Sequence, residues 1–213
     1  MLSVSLIERT LDTRDYDRLL RGLDDNGLAM PLSLRLRLAE HPAGATGLGL
    51  RRLVELTYGP SALSRRLVRA LLDDQCEDGT FSASVGDGRD PLLTACALAG
   101  LAAAADLTPD DPQLADALSR GVVALASLQD GDGLFTAPSD RSLGDRAATT
   151  AFILHLLAHH AAFRAAARLY DAHDWFERHG DRLDRSTRRL WDFARIAVED
   201  SPPEDVNLFA FAG

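Results

Sequence analysis

One seven-residue pattern, Gln-x-x-Asp-Gly-x-Phe, occurs twice in this chain. Gln75 and Gln129, Asp78 and Asp132, Gly79 and Gly133, and Phe81 and Phe135 each stand 54 residues apart. In both copies an amphipathic stretch precedes the Gln, and a loop and a strongly apolar stretch follow the Phe. The copies match best over 62–105 and 113–160. A self-similar period of this length marks stacked supersecondary units, each of which buries its inner face only against a neighbour.

Periodicity identifies those units as helical hairpins. Residues 61–74 carry Leu63, Leu67, Val68, Leu71 and Leu72 on one side, with Arg65, Arg66 and Arg69 elsewhere. Residues 113–129 repeat that one-sided pattern through Leu114, Leu118, Val122, Leu125 and Leu128. Such helices lie on a surface. Residues 91–105 and 146–160 are apolar or small on every side and therefore belong inside. The order is outer, inner, outer, inner. Aromatics make up only 6% of the chain, and Ala and Leu carry its apolar content, which favours helix over sheet. The expectation is an all-α fold: a single domain over 1–200 and a C-terminal tail over 201–213.

Elsewhere the pattern is looser. Residues 3–22 read as an amphipathic helix, with a turn at Asp24-Asp25-Asn26-Gly27. In PLSLRLRLAE the alternation of Leu32, Leu34, Leu36 and Leu38 is a strand pattern. Pro31 and the helix-forming composition point the other way, and helix is the reading adopted. Asn26-Gly27 falls 52 residues before Asp78-Gly79, as a worn first copy of the repeat would. Residues 41–47 read as a loop and 48–57 as a short helix ended by Tyr58-Gly59-Pro60. Further helices are expected over 161–170, 173–179 and 184–199, the last stopped by Ser201-Pro202-Pro203. The tail brings Leu208, Phe209 and Phe211, which either dock on the domain or await a partner.

Charge excludes several functions. All 23 basic residues are Arg, so neither a Schiff-base lysine nor a P-loop lysine exists. A net charge of -9 disfavours nucleic acid and anionic lipid. The longest apolar run, Ala95 to Ala105, is about half the roughly 20 residues a membrane span needs. The N-terminus lacks the pattern of a signal peptide. Cys76 and Cys96 make no disulfide framework and read as reduced core thiols of a cytoplasmic protein.

Physically the repeated pattern is a corner. Gly79 and Gly133 can take a positive φ without a steric penalty. Asp78 and Asp132 can accept bonds from the turn backbone. The amides of Gln75 and Gln129 can satisfy orphan groups at a neighbouring helix end, with Phe81 and Phe135 as shields.

These residues resemble the QW repeat of squalene–hopene cyclases and the related repeats of protein prenyltransferase β subunits. Arg120, Gly121, Leu125, Gln129, Gly133 and Phe135 fit that motif, with Ala124 in place of its first aromatic and Phe in place of its Trp. Arg66, Leu71, Gln75, Gly79 and Phe81 make a similar copy. The resemblance implies helical hairpins forming a whole or partial α/α toroid. It also implies, for an enzyme of the class II cyclase type, an Asp-x-Asp-Asp motif opening an inner helix, its middle Asp protonating an alkene or epoxide. Thr94-Ala95 and Thr150-Ala151 mark the two equivalent places, and the middle position holds Leu92 in one and Ala148 in the other. The prenyltransferase zinc ligands have no clear match. If the chain is an isoprenoid enzyme, Asp90 and Asp145, which flank the inner-helix starts, are its candidate acids.

Other candidates have plainer roles. His155 and His159 stand one helical turn apart, a zinc-capable spacing without the third ligand or intervening Glu of a zinc enzyme. Acids crowd two loops: Asp73, Asp74, Glu77, Asp78, Asp87 and Asp90 in one, Asp130, Asp132, Asp140 and Asp145 in the other. They read as turn formers and helix caps before cation ligands. Trp175 and Trp191 read as packing anchors, and Arg182, Arg185, Arg188 and Arg189 as a solvated face. The expected function is a non-catalytic binding or scaffold module, without cofactor, for a protein partner or a small apolar ligand. The alternative is a cyclase-like or prenyltransferase-like enzyme with a non-family acid. The space between the two inner helices is expected to be narrow and apolar, without a buried carboxylate.

Overall fold

The computed structural model describes residues 3–28, 30–57, 60–82 and 89–199. Asp87 and the tail over 201–213, with Leu208, Phe209 and Phe211, lie outside the described residues. Eleven α-helices and no strand are present among the described residues. None of these helices is long and apolar enough to cross a membrane.

The first expected helix is two. α1 (Val4–Asp12) is capped by Ser3 and α2 (Tyr16–Leu23) by Asp15, whose carboxylate accepts from the Arg18 amide. Between them Arg14 takes φ 57°, which no helix interior permits. After a π-helical turn over Asp24–Leu28, α3 (Leu32–Ala39) is a helix, as adopted. Leu34 and Leu38, four apart, are buried, whereas Leu32 and Leu36 are 57% and 54% exposed. Strict alternation wound into a helix places apolar residues on both faces.

The loop expected at 41–47 is instead the first half of α4 (Pro42–Thr57). Its glycines serve packing. A Cβ on Gly47 would stand 2.2 Å from the Cys96 carbonyl oxygen, so the backbone of α4 runs directly against that of α6 (Pro91–Ala105). Glycine is tolerated in a helix where a second backbone must come this close.

The two hairpins follow the expected alternation. α5 (Ala62–Asp74) opens on a Ser61/Ser64 capping box and buries Leu63, Leu67 and Leu71. α6 starts at an Asp90 N-cap with Pro91 in its first turn and is buried nearly all round. α7 (Pro112–Ala126) is one-sided, burying Leu114, Leu118, Val122 and Leu125. α8 (Leu143–Leu157) begins three residues earlier than expected, because Ser142 and Asp145 form a capping box there. The helix expected over 161–170 stops as α9 (Ala161–Ala166), and α10 (Leu169–His179) restarts it. α11 (Arg185–Glu199) closes the described chain.

α4, α6, α8 and α11 pack side by side in that order. α5 lies against α4 and α6, α7 against α6 and α9, and α10 against α11. Trp175 and Trp191 are anchors, 3% and 4% exposed, with the Trp191 ring stacked on Phe176 at 4.4 Å.

Candidate functional site

The corners hold each hairpin to the next. Gln75 Nε2 donates to its own turn at the Gly79 carbonyl (3.0 Å) and to Ala117 of α7 (2.9 Å). Arg120 of α7 donates back to Gln75 Oε1 at 3.0 Å. In the second copy Gln129 Nε2 donates to the Gly133 carbonyl at 2.8 Å, and Gln129 Oε1 accepts from the Arg168 amide at 2.7 Å. That amide is an orphan donor at the start of α10, the role expected of the Gln. Gly79 and Gly133 adopt φ 87° and 75°. They also have no room for a side chain: a Cβ would meet the Arg120 carbonyl at 2.6 Å and the Ala172 amide nitrogen at 2.5 Å. Arg120, the basic residue of the second repeat, thus serves the corner before its own. Arg66, with no such corner before it, pairs with Asp12 at 2.8 Å.

One turn acid differs from expectation. Asp78 accepts from the Thr80 amide (3.0 Å) and hydroxyl (2.6 Å), and those bonds hold its pKa below the usual carboxylate range. In the second copy Asp130, not Asp132, takes the turn amides, those of Asp132 and Leu134 at 2.9 and 3.0 Å. Asp130 follows Gln129 directly and is placed to bond two residues on, where the first copy has Cys76.

In the sequence the Thr-Ala pairs mark the starts of the inner helices. In the structure those threonines join each corner to its inner helix. Thr94 and Thr150 are fully buried. Their Oγ1 atoms accept from the Phe81 and Phe135 amides at 3.0 and 2.9 Å. Each hydroxyl donates to a carbonyl of its own helix, Asp90 or Arg146, at 2.8 Å. Phe81 and Phe135 are themselves fully buried.

The inner-helix starts carry a charged cluster. Arg37, on α3, donates through Nη1 to Asp140 Oδ1 at 2.8 Å, and its Nη2 stands 3.7 Å from Asp90 Oδ2. The Asp140 side chain is 0% exposed. Its Oδ1 also accepts from the Thr149 hydroxyl at 3.1 Å, and its Oδ2 from the Ala137 amide at 2.8 Å. Asp90 caps α6, accepting from the Leu92 and Leu93 amides at 2.8 and 3.3 Å. Burial raises the Asp90 pKa, opposed by Arg37, the two amides and His41. The Asp90 side chain is 13% exposed. Both carboxylates are engaged: an ion in a poorly solvated site persists only when paired and hydrogen-bonded. Arg37, 103 residues from Asp140, stands in the sequence within a leucine-rich segment. A charge amid alternating leucines is the signal that marks it.

Asp145 is exposed, its pKa held low chiefly by the Ser142 hydroxyl. Leu92 and Ala148, at the middle-acid positions, are 0% and 5% exposed. Cys76 and Cys96 are free thiols; only Cys96 is a core residue, Cys76 being half-buried, and burial pushes the Cys96 pKa far up. His155 is held neutral, its pKa lowered to about 4 by burial first, then by Arg51 and His159. Among the described residues no group of three His, Cys, Asp or Glu side chains is arranged to hold a metal.

No protein-family model, curated protein or solved structure matches the chain.

Proposed function

We propose that the chain is a non-catalytic scaffold or binding module, its hairpins an arc of an α/α toroid related to the cyclase and prenyltransferase repeats. One observation carries this reading. The positions where the resemblance expects the catalytic acid hold buried Leu92 and Ala148, while Gln75 and Gln129, which bind one hairpin to the next, both make their bonds. The exposed pairs Leu32 and Leu36 on α3 and Phe193 and Ile196 on α11 support a protein partner as the occupant of such a scaffold.

The second reading, an isoprenoid enzyme with a non-family acid, has Asp90 in its favour, since burial raises that carboxyl's pKa as a proton donor requires. Incubation of the purified chain with farnesyl and geranylgeranyl diphosphate and with squalene separates the two. The expected result is unchanged substrate. A cyclised or transferred product that disappears in Asp90→Asn would replace the scaffold by the enzyme; Asp145→Asn is the control at an exposed helix cap.

A further inference from the structure

A cleft of about 230 Å3 opens where α4, α8 and the π-helical turn meet. Leu23 and Leu48 form apolar wall, Arg51, Arg52 and Glu55 line it with charge, and His155 lines it from α8. We infer that this cleft is a binding site for a small monocarboxylate with an apolar body, of the size of an arylacetate or a six-carbon acid.

Charge selects the ligand. Glu55 serves two guanidinium groups at once, Arg51 Nε at 3.4 Å and Arg52 Nη1 at 2.9 Å. Two cations share one anion, and the imidazole beside them is neutral at pH 7. One positive charge is left over, so a single negative charge balances the site. A cation would add to an excess already positive, and a phosphate dianion would overshoot it.

Hydrogen bonding points the same way. The Arg51 and Arg52 side chains are 31% and 25% exposed, and Arg51 Nη1 reaches only a distant carbonyl, that of Leu156 at 3.5 Å. These guanidinium groups have more donors than the protein supplies with acceptors. A carboxylate presents two coplanar oxygens that match the guanidinium fork. A neutral imidazole adds one N–H donor.

Size sets the apolar part. A cavity of roughly 150 Å3 holds one benzene. The cleft therefore encloses one ring or a short chain together with its carboxylate, and is too small to enclose a C15 chain. The inference does not rest on the scaffold reading, since a scaffold and an enzyme alike can carry such a cleft.

Titration of the full chain with phenylacetate, hexanoate, their neutral amides, palmitate and inorganic phosphate, followed by calorimetry, tests it. Both small carboxylates are expected to bind at millimolar concentration or below. Phenylacetamide and hexanamide are expected to bind about tenfold more weakly or not at all, and palmitate and phosphate no better than hexanoate. Arg52→Gln is expected to weaken the carboxylates by about tenfold, with Arg51→Gln as the second variant should the first fail to fold. The His155 ring resonances of the wild-type chain supply an independent readout: bound carboxylate should raise the imidazole pKa. Amides that bind as well as their acids, variants that bind as the wild type does, or no binding of either carboxylate at millimolar concentration would each overturn the site.

Discussion

Gly100 and Gly47 meet backbone to backbone: a Cβ on Gly100 would stand 2.4 Å from the Gly47 carbonyl oxygen and 2.8 Å from its Cα. The obstruction is main chain, which cannot rotate aside as a side chain can. Gly100→Ala must therefore push α4 off α6. Overpacking costs about 1–3 kcal/mol or more, against a gain in helix propensity of about 1 kcal/mol. The expected result is a lower Tm. Gly131→Ala, where a Cβ meets nothing within 4 Å, is the control and should leave Tm unchanged or slightly higher.

The Thr hydroxyls hold the corners to the inner helices. Thr150→Val keeps the shape and strands the buried Phe135 amide, and Thr94→Val does the same to Phe81. Each should destabilise by about 1–3 kcal/mol. Gln75→Ala and Gln129→Ala should cost a similar amount by freeing one hairpin from the next. Urea unfolding of the four variants checks this, and four unchanged midpoints would refute the bracing role.

Arg37 neutralises a carboxylate that has no exposure to water. Arg37→Met should destabilise by about 3–5 kcal/mol, the usual effect of leaving a buried charge unpaired. Adding Asp140→Asn to it should recover part of the loss, because the stranded charge is then gone. Equal stability of wild type and Arg37→Met in thermal melts would show the pair to be dispensable.

Acid acts on His155 and Asp90 with opposite signs. Burial lowers the His155 pKa to about 4, from 6.5. Between those values the unfolded chain binds the extra proton, so this residue's contribution falls as pH drops from about 6.5 to about 4. For Asp90 the folded pKa is raised, so the folded chain holds the extra proton and stability falls as pH rises through the carboxylate range. His155→Gln should flatten the loss of stability on acidification. Asp90→Asn keeps an N-cap and should flatten the opposing slope. Unfolding midpoints measured from pH 4 to 7 decide both.

The corners were legible because their causes are local. A glycine at positive φ, an acid two residues before an amide and an apolar period of 3.6 act within a few residues of one another. Duplication at a 54-residue offset then told outer helix from inner, and the buried sets of α5 to α8 follow it. What only the tertiary structure decided is which distant group fills each local opportunity. Residues 42–47 look like a loop from their glycines and become helix because α6 occupies the space a Cβ would take. Asp130 replaces Asp132 by a shift of two residues, too fine for a repeat alignment to resolve. Arg37 and Asp140, 103 residues apart, meet because Arg37 reaches from α3 to the inner-helix starts, where the Asp140 side chain has no exposure to water and a cation, shared with Asp90, must balance its charge.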